Sequence, residues 1–263
     1  TTALDAGTLV VEREGVTRRI TPRVIVGAWG RWGRIDTQLQ RRFVGDRTHR
    51  SFGFKRHFFA ARQPDAVELY SFSEGYLGVN AVEGGLTNIC GLVHANRLAG
   101  HRGKWNAFVE AIRTERPEID ELFARHEPAQ SSYLSSEPVI FRARSPVEQG
   151  VFMIGDAAGI IDPLTGNGMA MAMQSALIAA SAVLQALEQP TRRLEIERSY
   201  AKTHRKLFAG RIRWSRAIAS VLSSPEALAW LVGTVGTPRI GAFLVQRTRA
   251  RREAIQRLAD AFC

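Results

Sequence analysis

Short stretches rich in apolar and β-branched residues, bounded by turn residues, mark the first third of the chain and predict β-strands. Segments 8–14 and 18–26 are predicted strands, and Glu14-Gly15 is a hairpin signal between them. Four more strands are predicted, over 52–59, 67–72, 76–82 and 86–93. Short segments rich in Pro, Asp, Ser and Gly separate these four strands. Because the connections are short, we expect an antiparallel sheet.

Apolar spacing typical of helices begins near residue 103. Trp105, Phe108 and Ile112 lie on one stripe, and Pro117 begins a second helix. Earlier in the chain, a short helix or loop is predicted over 37–42. After the second helix, the predicted elements are strands over 138–143 and 150–155, a loop to about 167, a helix over 168–187, and a mostly helical region over 191–263 broken at Pro225 and around 233–238.

The segment 163–187 contains no charged residue and is long enough to span a bilayer. It is rich in Ala, however, and Gln174, Ser175 and Ser181 interrupt it. Since Ala and Ser contribute little to membrane insertion, the composition favours a buried helix of a soluble protein.

Composition is that of an ordinary globular protein: 263 residues, 45% hydrophobic and 23% charged. This excludes a disordered chain, a collagen and a disulfide scaffold.

Cys90 and Cys263 form no spaced set, and the six His show no metal-ligand spacing, so no metal site is predicted. The cysteine content fits a reducing cytosol, and no signal peptide is expected at the N-terminus.

Positive charge is concentrated at the C-terminal end. Residues 191–263 hold fifteen Lys and Arg against five Asp and Glu, a balance of +10 out of the total of +11. A basic tail suits nucleic acid or an acidic membrane, but apolar residues at helical spacing favour solvated helix faces, and nucleic acid is not an expected partner. Two apolar stretches, 228–232 and 240–245, fit equally a membrane surface or packing against another domain or subunit.

One segment, 150–169, carries candidate chemistry. A buried strand leads to Gly155-Asp156, where a carboxylate can accept hydrogen bonds from sugar hydroxyls at the carboxyl end of a strand. Gly166 and Gly168 allow close backbone approach to a ligand. The helix that then begins favours negative charge at its N-terminus.

This segment resembles the second FAD motif of flavoprotein hydroxylases and geranylgeranyl-reductase-like oxidoreductases. The resemblance implies that Asp156 binds the ribityl and pyrophosphate region of FAD and that the helix start lines the isoalloxazine edge. The implied cofactor-binding residues of this segment are Gly155, Asp156, Ala157, Pro163, Gly166, Asn167, Gly168 and Met169.

The segment 24–34 resembles a second motif of the same family, a strand followed by Gly-Ala-Asp-Gly-x-x-Ser. The resemblance implies that Gly27, Ala28 and Gly30 border the cofactor. Trp29 stands where the family has Asp, and Gly33 where it has Ser. Both departures affect the turn that borders NAD(P)H in the hydroxylases.

The order of these motifs implies an α/β fold with α+β character. Residues 1–40 and 145–190 are expected to form parts of a discontinuous FAD/NAD(P)-binding domain, 41–144 an inserted antiparallel-sheet substrate domain, and 191–263 a basic helical region. The family's Gly-x-Gly-x-x-Gly unit is not found in this sequence. We therefore expect an incomplete member of the family, a fragment that alone binds FAD weakly or not at all.

The resulting functional hypothesis is an FAD-dependent oxidoreductase acting on a lipophilic or aromatic small molecule. It is either a hydroxylase coupled to NAD(P)H or a reductase of double bonds, and no side chain is identified as a catalytic acid or base. Lys55 is expected on the outer face of the sheet. The alternative is a non-catalytic basic module that contacts nucleic acid or an anionic membrane. The expected location is the cytoplasm, with or without peripheral membrane contact, and the oligomeric state stays open.

Overall fold

The computed structural model describes residues 3–5, 7–60, 64–235, 243 and 246–249. The strands are β1 Ala3–Asp5, β2 Thr8–Arg13, β3 Val16–Ile20, β4 Ile25–Gly27, β5 Ser51–Ala60, β6 Glu68–Phe72, β7 Gly75–Val82, β8 Leu86–His94, β9 His126–Pro128, β10 Leu134–Ser135, β11 Val147–Glu148 and β12 Val151–Met153. The α-helices are α1 Arg34–Gln38, α2 Ala95–Ala99, α3 Trp105–Glu115, α4 Pro117–Ala124, α5 Gly168–Glu188, α6 Arg193–Leu222 and α7 Pro225–Val235.

The chain divides into two compact units. Unit 1 takes its described residues from 1–46, 141–216 and 241–263, and unit 2 from 47–140 and 217–240. The domain boundaries expected from the sequence stay a prediction.

Two strand predictions were wrong in detail. The strand expected over 18–26 is two strands in different sheets, β3 and β4, because Pro22 lies between them and cannot donate to a ladder. The segment 138–143 forms only isolated bridges, Ser51 with Val139 and Ala143 with Gly159. The boundary between the two units falls inside this segment, so no single sheet takes all of it.

Unit 1 is built around β12. This strand pairs with β4 in parallel and with β11 in antiparallel orientation, and all three of its residues are buried. Phe152 packs with α5 and α6 in one apolar core, while Val151 and Met153 pack with α1 in another. β1, β2 and β3 form a separate antiparallel sheet.

Unit 2 contains the predicted antiparallel sheet, which is confirmed, with strand order β10-β5-β8-β7-β6 and β9 paired to β5. One face of this sheet carries Phe54, Phe58 and Leu77, which pack on Phe108 and Ile112 of α3. Lys55 lies one residue from Phe54 and is exposed, as expected for the opposite face of a strand.

The long helix α5 is buried along one stripe only. Its length and hydropathy would suffice to cross a membrane. Met171, Ile178 and Ala182 enter the core of unit 1, whereas Met173 and Leu184 are exposed. The helix therefore has one packed face and one open apolar face.

The C-terminal helical prediction is confirmed as far as the described residues extend. α6 ends at Leu222, and α7 begins at Pro225, where the break was predicted. The apolar stretch 240–245 lies outside the described residues except for Phe243, which is exposed.

Candidate cofactor-binding site

Both motifs found in the sequence start at one edge of the unit 1 sheet. Met153 is the register partner of Gly27 in the parallel pair, and the Ile154 N–H donates to the Gly27 carbonyl at 3.0 Å. The turn after β4 and the turn after β12 therefore leave the sheet side by side. Parallel strands that end together form the place where α/β proteins bind ligands.

The turn Gly155–Ala157 is held against the first part of α5. Gly155 has φ +57°, and a Cβ added there would lie 3.3 Å from the Cβ of Ala172. Its N–H donates to Ser175 Oγ at 2.8 Å, and that hydroxyl donates to the Ala172 carbonyl at 2.8 Å. Glycine at 155 thus permits both the backbone angle and the close helix contact. The sequence showed Ser175 only as an interruption of an apolar helix, not as this anchor.

Asp156 is half-buried, and its carboxylate accepts no hydrogen bond within the described part of the chain. Burial raises the pKa of Asp156, while the positive charges of Arg31 and Arg144 act in the opposite direction. A carboxylate with unused acceptor capacity beside two cations is suited to accept hydrogen bonds from ligand hydroxyl groups.

The loop before α5 ends in an open helix N-terminus. Asp162 accepts from the Leu164 N–H at 3.0 Å, which shapes the turn Pro163–Thr165. Gly166 follows with φ +62°, and none of the described residues lies within 4 Å of an added Cβ there or at Gly168. Within the described part of the chain, no side chain caps the start of α5. Its first N–H groups are thus available to an acceptor carrying negative charge.

Asn167 differs from its neighbours in this loop. It is 6% exposed, and its Nδ2 donates to the Thr248 carbonyl at 3.1 Å. Arg211 Nε donates to the same carbonyl at 2.9 Å. The side chain of Asn167 is therefore engaged by the protein, whereas Met169 is 78% exposed. That Asn167 binds the cofactor stays a prediction, and its backbone is the part left to do so.

Other predicted residues contribute backbone more than side chains. Ala157 is fully buried, whereas Pro163 and Ala28 are exposed. Gly30 has φ +81° with open space around an added Cβ, as a tight turn requires. Their binding roles also stay predictions.

Trp29 explains both departures in the 24–34 segment. An added Cβ would lie 2.4 Å from the Trp29 ring at Gly27 and 2.6 Å from it at Gly33. Trp29 Nε1 donates to Asp36 Oδ2 at 3.0 Å. The indole therefore lies over both Gly27 and Gly33. A Trp at position 29 thus requires a residue without a Cβ at position 33, so the two departures occur together.

A buried arginine that sequence analysis missed connects the two turns. Arg41 is 2% exposed and donates to Asp36 Oδ1 at 2.9 Å and to the Ala157 carbonyl at 2.8 Å. It also donates to the Ser145 carbonyl at 2.9 Å and pairs with the Glu148 carboxylate. A charged residue in a short helix or loop carried no sequence signal for this role.

Comparison with known proteins agrees with this geometry. The family model described as FAD binding domain matches residues 4–212. The sequence is also 28% identical over 104 residues to a tryptophan 2-halogenase from Chondromyces crocatus, covering 38% of this chain and 19% of that protein.

Solved structures share the fold. CmlS, a flavin-dependent halogenase, superposes with a TM-score of 0.65 at 18% identity, over 97% of this chain and 45% of CmlS. A geranylgeranyl bacteriochlorophyll reductase-like protein from Thermoplasma acidophilum gives a TM-score of 0.67 at 18% identity, over 96% of this chain and 68% of that protein. The predicted fold class is therefore confirmed. This chain spans less than half the length of CmlS and about a fifth of the tryptophan halogenase.

Proposed function

The chain belongs to the family of FAD-binding domains, and from this premise we propose that it forms part of an FAD-dependent oxidoreductase in which the turns after β4 and β12 hold the cofactor. One observation carries the proposal: the unused carboxylate of Asp156 and the uncapped start of α5 belong to one strand-loop-helix segment. Sugar hydroxyls and a negatively charged ring edge are the groups of FAD that these two features suit.

The residues present fit FAD in both shape and charge. Asp156 would accept hydrogen bonds from the ribityl chain, with Gly155 and Ala157 offering backbone beside it. Gly166 and Gly168 leave space that a Cβ would fill, so a flat ring can approach the loop closely. The N–H groups at the start of α5 would stabilise negative charge on that ring.

When bound, FAD supplies the redox chemistry, and this chain supplies binding, orientation and an electrostatic environment. NAD(P)H is the proposed electron donor, and a lipophilic or aromatic small molecule is the proposed substrate. Hydroxylation and double-bond reduction are the reactions implied by the sequence motifs. Halogenation is a second candidate, because the matched tryptophan 2-halogenase and CmlS are both named as halogenases. Product analysis with and without halide would separate it from the others.

The proposal is tested by titrating FAD with the protein and following flavin fluorescence. Asp156→Ala should weaken binding roughly tenfold or more, since hydrogen bonds to a charged group contribute about 1.5–3 kcal/mol. Asp120→Ala, which removes an exposed carboxylate from α4, is the matched control and should bind like the parent protein. Equal affinity of the Asp156→Ala variant and the parent would contradict the proposal.

A further inference from the structure

Arg144 lies behind the two cofactor turns and contacts both of them. Its Nη1 donates to the Arg31 carbonyl at 2.7 Å and to the Asp156 carbonyl at 3.2 Å. Its backbone N–H donates to the Ala158 carbonyl at 3.1 Å. One residue from outside both motifs thus connects the turn after β4 with the turn after β12.

The rest of the Arg144 guanidinium is enclosed without hydrogen bonds. The side chain is 7% exposed, and its Nε and Nη2 have no hydrogen-bond partner among the described residues. Its centre lies 3.6 Å from the centroid of the Phe43 ring and 5.8 Å from that of Trp32. Burial, followed by the charge of nearby Arg41, lowers the pKa of Arg144 to about 10. The group stays cationic at neutral pH.

This buried cation acts on Asp156 through space as well as through the backbone. Among the described residues, Arg31 and Arg144 are the charged groups that act on the Asp156 carboxyl. On the α5 side, Ser175 and Ala172 pack against the neighbouring Gly155. Asp36, Arg41 and Arg142 act on Arg144 in turn. Arg31 has the larger effect on Asp156, and Arg144 adds to it from an enclosed position that water screens little.

We propose that Arg144 is a positioning residue of the cofactor site, which joins the two turns and holds a buried positive charge behind the Asp156 carboxylate where it meets the ligand. This inference deepens the proposed function and depends on it for the identity of the ligand as FAD. The effect of Arg144 on Asp156 is a property of the protein without ligand, so it can be measured independently.

The test is an NMR pH titration of the Asp156 side-chain carboxyl carbon in the 263-residue protein, with assignment by Asp156→Asn. In Arg144→Gln, the midpoint should rise by about one pH unit, because an opposite charge close to a carboxylate lowers its pKa by about 1–3. Arg144→Lys keeps the charge and should restore the midpoint of the parent protein. Arg142→Gln removes an exposed arginine that pairs with Asp46 and is the matched control.

FAD affinity measured across the same pH range completes the test. In Arg144→Gln, the pH at which affinity falls should move upward together with the NMR midpoint. An unchanged Asp156 midpoint in Arg144→Gln would overturn the inference even if FAD binds. A shifted midpoint combined with an FAD affinity that does not depend on Asp156 would leave the inference standing and refute the proposed function. Should Arg144→Gln not fold, a raised midpoint in Arg144→Lys would contradict the role assigned to the charge.

Discussion

Removing the buried Arg41 should destabilise unit 1 strongly. Arg41→Met keeps the length of the side chain but deletes its bonds to Asp36, Glu148 and the carbonyls of Ser145 and Ala157. Asp36 is 1% exposed and would lose the cation that it pairs with. Breaking a buried pair by removing one partner costs about 3–5 kcal/mol, a large part of the 5–15 kcal/mol that stabilises a typical domain.

The measurement is urea unfolding followed by circular dichroism, combined in a double-mutant cycle with Asp36→Asn. The amide can still accept from Trp29 Nε1 and the Gly33 N–H, whose bonds to Asp36 are 3.0 and 2.8 Å long. Asp36→Asn removes the charge that Arg41→Met leaves unpaired. The double variant should therefore lose less unfolding free energy than the sum of the losses in the two single variants. Arg192→Met, which removes an exposed Arg that pairs with Glu195, is the control and should leave the urea midpoint unchanged.

A loss below about 1 kcal/mol in Arg41→Met, the range of surface ion pairs, would refute this reasoning. Additive effects in the cycle would refute it as well, because they would show that Asp36 does not depend on Arg41.

Three further changes have expected outcomes. Burial lowers the pKa of His204 to about 4, so the folded protein binds fewer protons than the unfolded chain between about pH 4 and 6.5. The free energy of unfolding should therefore fall by about 3 kcal/mol as the pH drops through this window. His204→Phe should remove that loss when urea unfolding is compared at pH 7 and pH 4. Gly33→Ser places a Cβ 2.6 Å from the Trp29 ring and should cost about 1–3 kcal/mol by thermal unfolding, with recovery when Trp29→Asp is added; no recovery would contradict the account of these two departures. Gly155→Ala combines φ +57° with a 3.3 Å contact to Ala172 and should cost about 1–2 kcal/mol or more, and a stability equal to that of the parent protein would contradict the tight packing of this turn.

Local sequence patterns predicted the elements well where one feature dominates. The strands of unit 2 are apolar stretches separated by short turns, and α6 and α7 follow helical spacing with Pro225 at the start of α7. The prediction over 18–26 was wrong because β-branched residues continue across Pro22, while the chain changes sheets there. Strands of two or three residues, such as β10 and β11, depend on distant partners and leave little local pattern.

The residues of the candidate site also fall into those that the sequence pattern revealed and those that it did not. Glycines and Asp156 were visible in the sequence because backbone approach and hydrogen bonding demand particular residue types at fixed spacing. Arg41 and Arg144 were not, since their partners lie as far as 116 and 113 residues away in the chain. Asn167 was predicted to bind the cofactor, which stays a prediction, but no sequence pattern indicated that its side chain donates to the Thr248 carbonyl. Long-range partners of polar residues are set by the tertiary fold.

The central claim is that FAD binds where β4 and β12 end. It is tested most directly by adding FAD to the isotopically labelled protein and following backbone amide shifts by NMR, which detects weak binding as well as tight binding. We predict that the largest shift changes map to Gly27–Gly30, Gly155–Ala157 and Gly166–Met169, and that they shrink in Asp156→Ala. Shift changes confined to unit 2, or shift changes of the same size in Asp156→Ala, would contradict the claim.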